Sequence, residues 1–208
     1  MHANPDLFRL PQCGMKSPCE IEIKLKVEGP PALKKRLKEY GFGVISRRHF
    51  ESNIVFDFSD LRLRRSRSLL RLRKEGKRYL LTYKGPPHGS GSYKIRTEIE
   101  TQVEDEGAFQ KILKGLGLHP VFRYEKYRTA YAEGGRRKAE GTPQLVYDET
   151  PIGHFIELEG PARWIDGVAR RLGYQKRDYI TASYAALYHE HCRTNRIKAG
   201  DMIFSDNS

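Results

Sequence analysis

Residues 20–24 read Glu20-Ile21-Glu22-Ile23-Lys24, and the run continues Leu25-Lys26-Val27-Glu28. In an extended chain, successive side chains point to opposite faces. Glu20, Glu22, Lys24 and Lys26 then share one face, and Ile21, Ile23, Leu25 and Val27 share the other. The acidic half recurs late in the chain as Glu157-Leu158-Glu159. Two carboxylate pairs on one face of two strands offer the hard oxygen ligands that a divalent cation prefers.

The same alternation spreads through the chain. After the first strand, Pro30 and Pro31 open a helix with Leu33, Leu37 and Tyr40 on one side and Lys34, Lys35 and Lys38 on the other. A β-rich stretch covers 44–58, and 60–68 reads as an arginine-rich connection. Segments 69–74 and 78–84 form a hairpin turning at Gly76, with Leu70 and Leu72 opposed to Arg71 and Arg73. The Gly-Pro-Pro-His-Gly-Ser-Gly-Ser run at 85–92 is a flexible loop. A strand over 94–104 sets Arg96, Glu98 and Glu100 against Ile95, Ile99 and Val103. A helix with Phe109, Ile112, Leu113 and Leu116 follows, then a strand over 121–131 with Lys126 and Arg128 on one face. A solvated hairpin loop at 133–142 leads into strands at 144–148 and 153–159. One more helix carries Trp164, Ile165, Val168 and Leu172. The last, from about residue 181, has Tyr184 and Tyr188 on one side, where helical spacing reads as packing. Residues 1–18 and 193–208 read as tails around one domain at 19–192. The total is roughly eight strands and four helices, mostly antiparallel.

Composition narrows the partners. The chain has 208 residues, 38% hydrophobic and 31% charged, with a formal net charge of +12. Polyanions are its natural partners: nucleotides and polyphosphate, with nucleic acid less favoured. Cys13, Cys19 and Cys192 have no ligand-like spacing, and an odd count points to reduced thiols and a cytoplasmic protein. No apolar run approaches the ~20 residues of a membrane span. The N-terminus lacks a signal-peptide core, and Met15 is a second candidate start. Neither a zinc pattern nor a Walker glycine loop is present. Arg62, Arg64, Arg65 and Arg67 either steer anions or are simply exposed. The scattered histidines receive no role.

Half-buried sheets ordinarily show their charges to water. Here the charged faces mix acids and bases on strand after strand, and the amphipathic helices need an apolar sheet face to pack on. With helices outside, the charges turn inward. The inward set is Glu20, Glu22, Lys24, Arg71, Arg73, Lys84, Arg96, Glu98, Glu100, Lys126, Arg128, Asp148, Glu157 and Glu159. It holds seven acids and seven bases. A dry interior would not tolerate them. The expectation is therefore an α+β fold: an eight-stranded antiparallel closed β-barrel, or tunnel, with a wet charged interior and helices packed outside. Closure brings the first and last strands together. Carboxylates would hold Mg²⁺ or Mn²⁺ bridging phosphate oxygens, and arginines and lysines would hold the remaining oxygens.

These motifs resemble the CYTH superfamily of triphosphate tunnel metalloenzymes. It includes class IV adenylyl cyclases, thiamine triphosphatases, inorganic triphosphatases and fungal RNA triphosphatases. Glu20, Glu22 and Lys24 match its Glu-x-Glu-x-Lys signature, and 53–57 its second strand. Leu70-Arg71-Leu72-Arg73, Lys84-Gly85-Pro86, Arg96-Thr97-Glu98-Ile99-Glu100 and Lys126-Tyr127-Arg128 match successive strands. Asp148 through Glu157-Leu158-Glu159 matches the acidic hairpin. The match runs in order over about residues 19–190. One departure is Ala182, where the family often has a lysine before Ser183-Tyr184; Lys176 or Arg177 are the candidate substitutes.

The resemblance implies a triphosphate bound in the tunnel. Metal ligands would be Glu20, Glu22, Asp148, Glu157 and Glu159. Phosphate would meet Lys24, Arg71, Arg73, Lys84, Arg96, Lys126 and Arg128. Catalysis would involve Glu20, Glu22, Lys24, Glu98 and Glu100. The favoured activity is a metal-dependent triphosphatase acting on inorganic, nucleoside or thiamine triphosphate. The alternatives are a class IV adenylyl cyclase making cyclic AMP and pyrophosphate from ATP, and a non-catalytic polyphosphate- or RNA-binding module.

Overall fold

A computed structural model describes residues 19–88, 91–136 and 142–205. The tail read at 1–18, with Met15, and parts of the loops read at 85–92 and 133–142 lie outside the described residues. The strands are β1 (Cys19–Val27), β2 (Phe42–Phe58), β3 (Leu69–Glu75), β4 (Arg78–Lys84), β5 (Lys94–Val103), β6 (Leu118–Glu133), β7 (Gln144–Thr150) and β8 (Gly153–Glu159). They close into a barrel in the order β1-β5-β4-β3-β2-β6-β7-β8. Every neighbouring pair is antiparallel.

Closure joins β1 to β8, as the alternation predicts. Ile23 faces Leu158, Lys24 faces Glu157 and Glu22 faces Glu159. The long β2–β6 pair shifts register near Ser46 and again between Val55 and Phe56. Such bulges bend a strand and raise its twist, which helps a sheet curl shut.

Helices α1 (Pro30–Glu39) and α4 (Ala162–Arg171) lie outside, where apolar strand faces need cover. Leu33 and Leu37 of α1, and Ile165 and Val168 of α4, pack on Ile23, Leu25, Leu145, Ile156 and Leu158. Helix α3 (Glu106–Gly115) is capped by Asp105, whose carboxylate accepts from the Ala108 N–H at 2.8 Å. It buries Leu113 beside Phe56, Leu72 and Leu118. Helix α5 (Tyr184–Asn195) starts at its cap Ser183. No helix among the described residues is long and apolar enough to cross a membrane.

Three expectations need correction. The connection at 60–68 contains a short helix, α2 (Arg62–Arg65). Buried Asp57 builds it, accepting N–H bonds from Leu63 at 3.0 Å and Arg64 at 2.9 Å. With α2 the described residues hold five α-helices, plus a single 3-10 turn at Lys176–Asp178. The chain after Cys192 does not hang free. Met202 lies alongside β6, donating to Arg123 O and accepting from the Glu125 N–H, both at 2.9 Å. Its side chain is fully buried against Phe122, Tyr124, Phe155 and Tyr184. It fills the stretch of β6 before β7 begins pairing at Tyr127. Finally, Cys19 is disulfide-bonded, against the expectation of reduced thiols, whereas Cys192 is free and buried.

Candidate active site

The concave wall of the barrel carries the charges. Lys84 Nζ on β4 reaches Glu20 Oε2 on β1 at 2.6 Å, across the intervening β5. Arg128 on β6 likewise reaches Glu157 on β8 across β7. Such chords are possible only inside the curve. The sequence-predicted set is brought together there, with Glu100 nearest to solvent.

One part of this wall is rich in acid. Glu20 and Glu98 share the Lys84 ammonium, at 2.6 and 2.7 Å. Burial and the nearby Glu22 carboxylate push Glu20 up to about 8, against the pull of Lys84. Glu98 stays lowered: Lys84 and a hydrogen bond with Glu20 outweigh its burial. Burial also raises Glu159, although Gln144 donates to it at 2.8 Å. Burial works against the Glu22 carboxylate too, but Lys24, Lys94 and Lys84 hold it well below the usual range. Lys94 approaches it at 3.0 Å and Lys24 at 3.6 Å. Glu22 Oε1 nevertheless has no partner in hydrogen-bond geometry. The cost of these neighbours falls on Lys94, which burial pushes down to about 8.

The rest of the wall is rich in bases. Asp148 is fully buried and saturated. It accepts from Lys126 at 2.9 Å, from Arg128 through two bonds at 2.7 and 2.6 Å, and from the Tyr184 hydroxyl at 2.7 Å. Lys24 pairs with Glu157 at 3.0 Å. Despite burial, Lys24, Arg128 and Lys126 keep the Glu157 carboxyl well below its ordinary range. Arg71 donates to Thr82 Oγ1 at 2.9 Å and to the Tyr124 hydroxyl at 3.3 Å. Arg73 donates to Asn53 Oδ1 at 3.3 Å.

Four contributors were missed. Glu51 sits among Arg73, Lys126, Arg128 and His49. Its signal was there: Glu51, Asn53 and Asp57 fall on one face of β2. Lys94 is the same alternation as Arg96 and Glu98, extended two residues back. Tyr124 shares the face of Lys126. Tyr184, read as packing, does pack, but its hydroxyl also enters the site, and Lys24 and Lys126 flank its ring at 5.3 and 5.2 Å. Lys176, a candidate substitute for the missing lysine, is instead paired with Asp166 at 3.3 Å.

The donor set suits a hard divalent cation. Glu20 and Glu159 are raised because burial outweighs their partners, and Glu22 Oε1 has a lone pair without a hydrogen bond. As the side chains lie, no three His, Cys, Asp or Glu groups among the described residues converge as a cage. Lysine ammonium groups stand between the carboxylates, so chelation requires them to turn toward an anion.

Comparison with known proteins agrees with this geometry. The CYTH domain model matches residues 19–184. A Methanocaldococcus jannaschii protein, provisionally named an adenylate cyclase, is 34% identical over 140 residues, 67% of this chain and 75% of its own. A Pyrococcus horikoshii structure superimposes with a TM-score of 0.68 at 24% identity, covering 83% of this chain and 99% of that one. A Hippeastrum protein, provisionally named an adenylyl cyclase and described as having a dominant triphosphatase activity, gives 0.57 at 20% identity. It covers 83% of this chain and 96% of its own.

Proposed function

Because the chain belongs to the CYTH family, we propose that it is a divalent-metal-dependent phosphohydrolase that takes a triphosphate into the barrel. One observation carries the reading: carboxylates from β1, β5 and β8 and a row of buried cations from β1, β3, β4, β5 and β6 share one concave wall. Phosphoryl transfer needs little more than positioning and charge stabilisation.

Arg71, Arg73 and Arg128 offer forked donors to non-bridging phosphate oxygens. Lys24, Lys84, Lys126 and Arg96 supply compact positive charge. Glu20, Glu22 and Glu159 would hold Mg²⁺ or Mn²⁺, with Glu157 joining once Lys24 turns to phosphate. The metal would supply Lewis-acid charge stabilisation. Asp148, already saturated, instead fixes Lys126 and Arg128 in place. Glu98, ionised at neutral pH by Lys84, orients the attacking water and accepts its proton, and Glu100 steadies Arg71 through Thr82. Water oxygen bonds to the terminal phosphorus, the bridging P–O bond breaks, and orthophosphate and the shortened chain leave.

A second reading, a cyclase, is favoured by the name of the 34% identical relative. There the ribose 3′-hydroxyl of ATP attacks the α-phosphorus and pyrophosphate leaves. Incubation of inorganic triphosphate, ATP and thiamine triphosphate with Mg²⁺ or Mn²⁺ separates the readings. Orthophosphate release is expected. Cyclic AMP with pyrophosphate would favour the cyclase, and binding without turnover would favour a passive polyphosphate module.

A further inference from the structure

We propose that Glu51 is a built-in counter-anion of the phosphate cradle, a positioning residue that competes with bound phosphate for Arg73, Lys126 and Arg128. This rests on the triphosphate reading of the same site. Glu51 therefore sets how tightly the cradle holds an anion and how readily it lets the product go.

Glu51 is 1% exposed on β2, with Lys126 directly across on β6. Three cationic groups and the His49 imidazole surround it, none closely. Arg73 lies at 3.4 Å, Lys126 at 3.5 Å, His49 at 3.5 Å and Arg128 at 3.9 Å. Charge-assisted hydrogen bonds are shorter, about 2.7–2.9 Å. Asp148 reaches that range with the same Lys126, at 2.9 Å, and Arg128, at 2.7 Å. Glu51 Oε2 is buried and makes no hydrogen bond at all. So Asp148 fixes these cations, while Glu51 only neutralises them from a distance. Those cations keep unspent donors, which is what an incoming phosphate oxygen requires.

A loosely held carboxylate has two uses here. Without substrate, it offsets a cluster of cations that would be costly to bury unpaired. With substrate, its negative charge repels the anion at short range in a poorly screened interior. The affinity is held down and the anionic product is released.

Isothermal titration of inorganic triphosphate, without divalent metal so that no turnover intervenes, tests this on the full chain. Glu51→Gln keeps the shape and removes the charge, and should tighten binding by about tenfold or more. Glu51→Asp keeps the charge but draws it back, and should tighten binding less. Glu75→Gln, which removes the second carboxylate approaching His49 Nε2, at 3.1 Å, should change binding less than about twofold. With metal present, Glu51→Gln should lower KM and strengthen inhibition by orthophosphate.

Weaker or unchanged binding in both Glu51 variants would make Glu51 a scaffold residue and overturn the proposal. If Glu51→Gln does not fold, Glu51→Asp decides by the same signs. If neither the wild type nor any variant binds triphosphate, the reading of the site falls, and the role of Glu51 falls with it.

Discussion

Two carboxylate groups line one barrel wall, and their neighbours treat them in opposite ways. Around Asp148 and Glu157 the carboxylates are held at close range by Lys24, Lys126, Arg128 and the Tyr184 hydroxyl. Around Glu20 and Glu159 burial outweighs what the neighbouring cations and donors return, and both carboxyls are raised. The first group is finished by the protein itself. The second is finished only by something added. Asp148 should therefore weigh mainly on stability and Glu20 mainly on activity, although both were read in a single set of inward charges.

The largest effect should come from breaking the finished group. Asp148→Asn leaves Lys126 and Arg128 buried without their main counter-charge. Breaking a buried pair in this way costs about 3–5 kcal/mol. Chemical denaturation should report it, with a melting temperature lower by roughly 10 °C. A loss under about 1 kcal/mol would erase the contrast.

Next comes the unfinished group. Glu20→Gln should reduce triphosphate turnover at least about 100-fold, or roughly 2.7 kcal/mol, without lowering the melting temperature. At neutral pH Glu20 already carries a proton, so the amide resembles the native state. Turnover near the wild-type level would remove the carboxylate from the chemistry.

The pH response sharpens the same point. In the fold Glu20 keeps its proton up to about 8, while the unfolded chain releases it near 4.5. Between those values the folded state binds more protons. Stability contributed below 4.5 is lost as pH rises through about 8. Without metal, thermal stability should fall across that window, and Glu20→Gln should flatten the slope. Metal binding must displace the proton, so stabilisation by Mn²⁺ should grow over the same window. The smallest effect belongs outside the barrel. Lys34→Ala and Lys38→Ala, exposed on α1, should alter stability by less than about 0.5 kcal/mol and leave turnover unchanged.

The sequence exposed whatever obeyed a period of two. Glu20-x-Glu22-x-Lys24 and Arg71-x-Arg73 each mark one charged face, and the amphipathic helices, which need an apolar sheet face, decide that it turns inward. That logic also joined β1 to β8. It did not reveal how the charges divide. Whether a buried carboxylate meets one ammonium or four depends on cross-strand register, which no single strand encodes. Tyr184 shows a different limit. Its spacing with Tyr188 describes a helix face, but only the seat of α5 carries its hydroxyl to Asp148. Met202 lies in a stretch without periodicity. Its burial follows from the part of β6 that β7 leaves unpaired.

Diffraction from crystals soaked in Mn²⁺ and inorganic triphosphate, recorded for manganese anomalous scattering, tests the central claim most directly. The expected result is a peak inside the barrel within about 2.0–2.6 Å of carboxylate oxygens of Glu22 and Glu159, with Lys24 turned toward phosphate. A barrel free of manganese, or manganese bound only on the outer surface, would contradict the account.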